Sequence, residues 1–221
     1  ICYDITIYDT VVCSVCGTKT GVSGLTSTNA MGPSDLDMRP PEMARSTMDF
    51  WVDCCDTCGY CAADPSDESV NASWFIKTPE YTKTLEEESY PELANIFRCK
   101  SLINEVDGKY AEAAKAALHA AWVCDDHQLI EQSYTCRINA IRLLKEAESN
   151  HDEYSAEEGI SRLVLIDMLR RVEKYEEATS EINKLQSVID DPGLLRILIY
   201  QATLIGKKDR ACHTVPSFEE V

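Results

Sequence analysis

Positive charge is what this chain has least of. It carries 21 Lys and Arg against 38 Asp and Glu, a formal net charge of −17, and residues 1–61 hold only Lys19, Arg39 and Arg45 as basic groups. Nucleic-acid binders bring Lys and Arg to the phosphates, so neither DNA nor RNA is expected as a partner. The same balance disfavours an anionic membrane surface. No apolar run approaches the ~20 residues that a helix needs to cross a bilayer. No basic stretch followed by an apolar one opens the sequence, so a secretory signal is not expected either. Histidine is scarce: His119, His127, His151 and His213 do not pair with a cysteine or carboxylate at metal-ligand spacing on one helix. His119 and His127 read as surface or interface residues. There is no HExxH, no P-loop, no nucleophile elbow and no GxGxxG after a strand.

Cysteine, by contrast, is abundant, with eleven in 221 residues. Four of them fall in two CxxCG steps, Cys13-Ser-Val-Cys16-Gly17 and Cys55-Asp-Thr-Cys58-Gly59. A CxxC turn brings two sulfurs to one point, and the glycine lets backbone N–H groups turn toward them. Two such steps supply the four thiolates that close a tetrahedral zinc shell, so Cys13, Cys16, Cys55 and Cys58 are the expected ligands of a structural Zn2+. Disulfides, a redox dithiol and an iron–sulfur cluster are the competing readings. The pair Cys58 and Cys61 is also a CxxC, but only Cys55 with Cys58 repeats the CxxCG form, which leaves Cys54 and Cys61 as spare thiols. The odd cysteine count, the metal-like spacing and the placement of Cys99, Cys124 and Cys136 inside helical patterns favour a reducing cytoplasm over an oxidising compartment.

The pattern along the chain is α+β: a small zinc-ribbon-like β domain over 1–65, a polar, acidic linker over 66–78, and an all-α domain over 79–221. Residues 1–12 alternate as a strand, with Ile5, Ile7 and Val11 on one face. A Gly/Ser/Thr-rich stretch to about residue 29 fits a hairpin, and residues 50–53 fit a strand entering the second knuckle. Between them Pro40-Pro41 forbids a continuous helix. That segment crowds Asp35, Asp37, Arg39, Glu42 and Arg45 beside Met43, Met48 and Trp51. It reads as a structured loop packed on the ribbon, or as a binding loop with a polar pocket. Helices are expected from Pro79, from Pro91 to Asp107, over 109–125, over 127–148 with Ile130, Tyr134, Ile138, Ile141 and Leu144 on its apolar face, from a capping box at Ser155 to Glu158, from Tyr175 to about Ile189, and from Asp191-Pro192 to Gly206.

Three inter-helix positions resemble one another: Gly108-Lys-Tyr110 with Ala113, Glu173-Lys-Tyr175 with Ala178, and Gly206-Lys-Lys with Ala211. A small residue recurring at about 34 residues, or twice that, between helix pairs marks a TPR-like array. Together with Ala120-Ala-Trp122-Val-Cys-Asp125-Asp and Leu169-Arg-Arg171, and with Cys13, Cys16, Gly17, Cys55, Cys58, Gly59 and Tyr60, the chain resembles a bacterial family catalogued as domain of unknown function 2225. That resemblance implies a CxxC…CxxCGY ribbon joined to a TPR-like tail, and no activity. Met38-Arg-Pro-Pro, Cys54 and Cys61 depart from its pattern.

The function expected is that of a scaffold or adaptor, binding a basic peptide or protein through the helical array; Trp122 and Tyr134 are the groove candidates, with a place in the core the favoured reading of each. The alternative is an enzyme or a metal or redox sensor using the 35–45 loop or the cysteine cluster 54–61. A closed four-cysteine shell has no open position for a reacting water, which weighs against catalysis at the metal.

Overall fold

The computed structural model describes residues 6–25, 27–157 and 159–216. The protein is α+β: a small β region built of two hairpins leads into a helical region. Strands β1 (Thr6–Val12) and β2 (Lys19–Leu25) pair antiparallel, with Val12 opposite Lys19, so the first CxxC is the turn of that hairpin. Strands β3 (Asp53–Cys54) and β4 (Cys61–Ala62) pair with Cys54 opposite Cys61, and the second CxxC is the turn between them. The expectation for Ile5 lies outside the described residues.

The segment between the hairpins carries α1 (Glu42–Arg45), a single 3-10 turn over Met48–Phe50, and a left-handed residue, Met38 (φ 66°). It does not rest on the ribbon alone. Leu36, Met48 and Val52 enter the same core as the helices, and Met43 stays exposed. Residues 66–78, expected as a linker, hold α2 (Ala72–Phe75), with Ala72 and Phe75 buried against Tyr60, Tyr81 and Ile103. Asn71 binds the Asp107 carboxylate and the Val106 carbonyl, fixing this segment to the helix that precedes them. The β region is therefore docked.

The helices are α3 (Pro79–Leu85), α4 (Glu92–Val106), α5 (Tyr110–Asp126), α6 (Ile130–Ser149), α7 (Ile160–Arg171), α8 (Tyr175–Gln186) and α9 (Pro192–Gly206). Thr78 and Asp191 cap α3 and α9 through their side chains, each with proline in the first turn. Helix α5 packs against both α4 and α6, which its alanines allow: Ala113, Ala114, Ala117, Ala120 and Ala121 are all buried. The Ser155 capping box does not open α7. Ser155 accepts a bond from the Glu157 N–H, and the helix begins five residues after Ser155, behind left-handed Gly159. On α6 Ile138, Ile141 and Leu144 face inward, whereas Ile130 and Tyr134 are exposed.

Helices α4, α5, α6, α7 and α9 end in the same way. At Gly108, Gln128, His151, Glu173 and Lys208 the chain turns through positive φ. At each, the next N–H reaches the carbonyl five residues back, as in Lys109 to Asn104, Leu129 to Cys124 and Lys174 to Leu169. This is the Schellman closure, which satisfies carbonyls that the helix leaves open. Glycine occupies only the first of the five. Ala113 and Ala178 are buried where the sequence spacing expects a close helix crossing, but Ala211 lies in an exposed bend. The third copy of the repeat therefore does not pack as the first two do.

Buried charges lock the 35–45 segment onto the helices. Asp37 accepts a bond from Trp122 Nε1 at 2.8 Å and lies 3.6 and 3.5 Å from Arg137 and Arg171. The two arginines also hold Asp125 at 2.5 and 3.1 Å. Burial opposes ionisation of Asp125, but Arg137 and Arg171 outweigh it and keep its carboxyl below the usual range. Arg39 pairs with Asp126 and lies over the Trp122 ring. From the other side, Leu36 N–H bonds to His213 O and Val215 N–H to Ser34 O, so the C-terminal tail clamps the same segment. Removing one partner of such a set strands the others. Asp37→Ala is expected to cost about 3–5 kcal/mol in denaturant unfolding.

His119, expected at the surface, is wedged among Trp51, Phe97 and Trp122 with ring centroids 4.8–5.2 Å away. Burial, with Lys100, Lys115 and Arg39 nearby, pushes its pKa from 6.5 down to about 3. The unfolded chain then takes up a proton below 6.5 that the folded chain refuses until about 3. Stability contributed by His119 is full above 6.5 and is lost as pH falls through that window. Unfolding measured from pH 7 to 4 should show this decline, and His119→Gln should flatten it.

Candidate metal centre

The two hairpin turns are built alike. In the first, Gly17 N–H bonds to Cys13 O at 2.9 Å and Cys13 N–H to Thr18 O at 2.9 Å; in the second, Gly59 N–H bonds to Cys55 O and Cys55 N–H to Tyr60 O, both at 2.8 Å. Gly17 and Gly59 share φ 74°. That backbone sends both sulfurs of each turn to one side, and the docked hairpins bring the two pairs face to face. The Sγ atoms of Cys13, Cys16, Cys55 and Cys58 all lie within 4.8 Å of one another. Across the pairs, Cys13 to Cys58 and Cys16 to Cys55 are each 3.7 Å. A tetrahedron with metal–sulfur bonds of about 2.3 Å has an edge of about 3.8 Å, so the donor set fits a metal ion.

The four thiols are not equivalent. Hydrogen bonds from the Thr18 hydroxyl and backbone N–H pull Cys16 down to about 6. Burial pushes Cys13 and Cys58 up. Cys55 also feels burial, yet N–H groups of Cys58 and Thr57 bring it below its ordinary value. Sulfurs this close cannot all ionise without a cation. A divalent ion would neutralise part of the charge and drive the remaining protons off, so its affinity rises with pH. Thr18 escaped the sequence reading. Its hydroxyl lies 2.8 Å from Cys16 Sγ, and only its place directly after CxxCG hints at that contact.

Several groups hold the turns in place. Tyr81, from α3, donates to Gly59 O at 2.7 Å and accepts from Cys61 N–H at 3.1 Å. Tyr60 donates to Asp67 O, as does Ser14. Cys54 and Cys61 stand outside the four-sulfur group and face each other across β3 and β4, with sulfurs 3.0 Å apart. Their shared hydrogen bond and burial raise the Cys54 thiol, and burial raises that of Cys61, so both are kept protonated and poorly nucleophilic.

The other expected site residues are not gathered into a pocket. Asp35 is buried and bound to Arg45 at 2.6 Å. Asp37 and Arg39 are consumed by the charge network, and Glu42 is exposed beside Arg45. The loop acts as a strap. Trp122, a groove candidate, is buried with its indole N–H on Asp37, whereas Tyr134 is 44% exposed.

Among the described residues no helix is long and apolar enough to cross a membrane. Compared with family models, curated proteins and solved structures, the chain finds no match.

Glycine at position 59 is required twice over: its φ is left-handed, and a Cβ there would meet Leu85 Cδ2 at 2.9 Å. Gly17 has the same φ but open space around it. Gly17→Ala is expected to cost about 1 kcal/mol and Gly59→Ala at least as much, since the end of the Leu85 side chain must also shift, both read by chemical unfolding.

Proposed function

We propose that this chain is a zinc-stabilised interaction protein: the four-cysteine centre holds the β region in shape, and the paired helices carry a surface that binds a basic peptide or protein. Four protein thiolates supply a complete tetrahedral shell, which makes zinc a structural element with no open position for chemistry. The absence of described disulfides (ten described cysteines, all free) fits a reducing, cytoplasmic setting. The helix pairs, with Ala113 and Ala178 buried at their crossings, support kinship with TPR-like arrays. With the two matching CxxCG turns, they also support membership of the bacterial domain of unknown function 2225.

The observation that carries the partner's chemistry is an opening of about 400 Å3 at the junction of α6 and α7. Glu148, Asp152 and Glu153 line it together with Leu144, Tyr154 and Leu165. Its one arginine, Arg162, is already engaged by Glu148 and Glu181. Apolar walls below acidic groups suit the stem and charge of a Lys or Arg side chain.

Protein purified without added metal should contain about one zinc per chain, and Cys13→Ser and Cys58→Ser should lose it together with the fold of the β region. A fluorescent Lys-rich peptide should bind with strong salt dependence, a Glu-rich one should not, and Glu153→Gln should weaken the former several-fold. Iron with visible absorbance would replace the zinc reading, and equal binding of both peptides would remove the basic partner. The facing pair Cys54 and Cys61 gives a redox sensor its one supporting observation. Peroxide-driven loss of these two thiols, with metal retained, would favour it.

A further inference from the structure

A second cavity, of the opposite polarity, lies between α4 and α6 over the floor of α5. It measures about 370 Å3 and is bounded by Arg98, Leu102, Ala117, Cys136, Ile138 and Asn139, with Arg142 also lining it. No Asp or Glu lines it, in a chain whose formal net charge is −17.

Arg98 is the informative residue. Arg39, Arg45, Arg137, Arg142, Arg162 and Arg170 each meet a carboxylate. Arg98 does not: its guanidinium lies 3.7 Å over the Tyr90 ring and gives one N–H to Asn95 Oδ1 at 2.7 Å. Among the described residues no carboxylate pairs with it. The stacking holds the planar fork in place and leaves donors of the kind that match a carboxylate in two parallel bonds. The Cys136 thiol sits below its ordinary value, chiefly through the proton it shares with Cys124, and then, against burial, through Arg98 and Arg137.

The remaining polar groups narrow the ligand. Asn139 Oδ1 accepts from Arg142 at 2.8 Å, so its amide nitrogen is left as a donor. Arg142 itself is neutralised by Glu105 through two bonds of 2.8 Å. Thr84, Ser101 and Thr135 also line the cavity, but each hydroxyl donates to a backbone carbonyl, of Glu80, Ala113 and Glu131, at 2.8–2.9 Å. One arginine without a described carboxylate partner and one amide donor thus line the cavity beside Leu102, Ala117 and Ile138, while the other charged and hydroxyl groups of its wall are already engaged.

We propose that this cavity binds an aliphatic carboxylate, with the carboxylate on Arg98 and Asn139 and the hydrocarbon against Leu102, Ala117 and Ile138. A single negative charge matches the single unpaired arginine, and the volume is in the range of small-molecule sites. The carboxylate comes either from a free carboxylic acid or from the C-terminal residue of a polypeptide. This site is separate from the acidic opening and does not depend on the basic-partner reading.

The test is calorimetric titration of the full chain, metal-loaded, with octanoate, octanol, octylamine, and a peptide ending in leucine as free acid or amide. Octanoate should saturate one site, with octanol and octylamine at least about tenfold weaker, the usual order for a charge-assisted pair. Arg98→Gln should weaken octanoate about tenfold or more. Ile138→Trp, which fills the cavity and leaves the arginine, should abolish binding. Thermal unfolding checks that both variants fold, and if Arg98→Gln does not, Ile138→Trp decides. A free-acid peptide binding more tightly than octanoate, with its amide silent, identifies a polypeptide terminus; the reverse order identifies a free acid. Lack of saturable octanoate binding, octylamine binding as tight as octanoate, or full affinity in both variants overturns the proposal.

Discussion

Asp37 is carried by a loop into the interior of a helical domain, where an unpaired carboxylate is costly. It persists there because Trp122 donates to it and Arg137 and Arg171 stand within 3.6 Å. Those residues belong to α5, α6 and α7, so a single loop residue ties three helices together. Asp125, on the far side of the same arginines, completes the balance of charge. With the loop held there, Leu36, Met48 and Val52 fill the helical core. The hairpins on either side of the loop are then held where they can meet.

That meeting produces the four-sulfur group. Neither CxxC turn holds more than two sulfurs, and the two lie about forty residues apart in the chain. Their distances of 3.7 Å across the pairs depend on the docking of both hairpins, through Tyr81 and the Ser14 and Tyr60 bonds to Asp67. A cation bound there stabilises the fold in return, since binding to the native state alone shifts the folding equilibrium. The four-sulfur group and the strap are in this sense two fastenings of one β region, one through sulfur and one electrostatic within the helices.

Much of the architecture was legible because it is local. CxxCG repeated twice names its own turn, and both copies adopt the same hydrogen bonds and the same φ. Proline after Thr78 and after Asp191 marks helix starts that the structure keeps. Where the reading failed, the deciding partners were far away in sequence. His119 looks like a surface or interface residue on an alanine-rich helix until Trp51, Phe97 and Trp122 are placed around it, and Tyr134 looks like core but is 44% exposed. Ser155 to Glu158 reads as a capping box, but the helix starts later, behind Gly159. The crowded charges of 35–45 look like a site because sequence alone does not show that arginines of α6 and α7 lie beneath Asp37.

The sequence by itself determined the α+β class, the two CxxCG turns, the starts of several helices and the excess of negative charge, because each follows from neighbouring residues or from composition. Tertiary structure alone decided how the two cysteine pairs are brought face to face, which charges are cancelled and which are left over. Glu105 neutralises Arg142, whereas among the described residues no carboxylate pairs with Arg98, which stacks on Tyr90, although both read as helix-surface arginines in the chain. The physical reason is that electrostatic compensation acts over a few ångströms in space, and the residues that supply or withhold it come from separate helices.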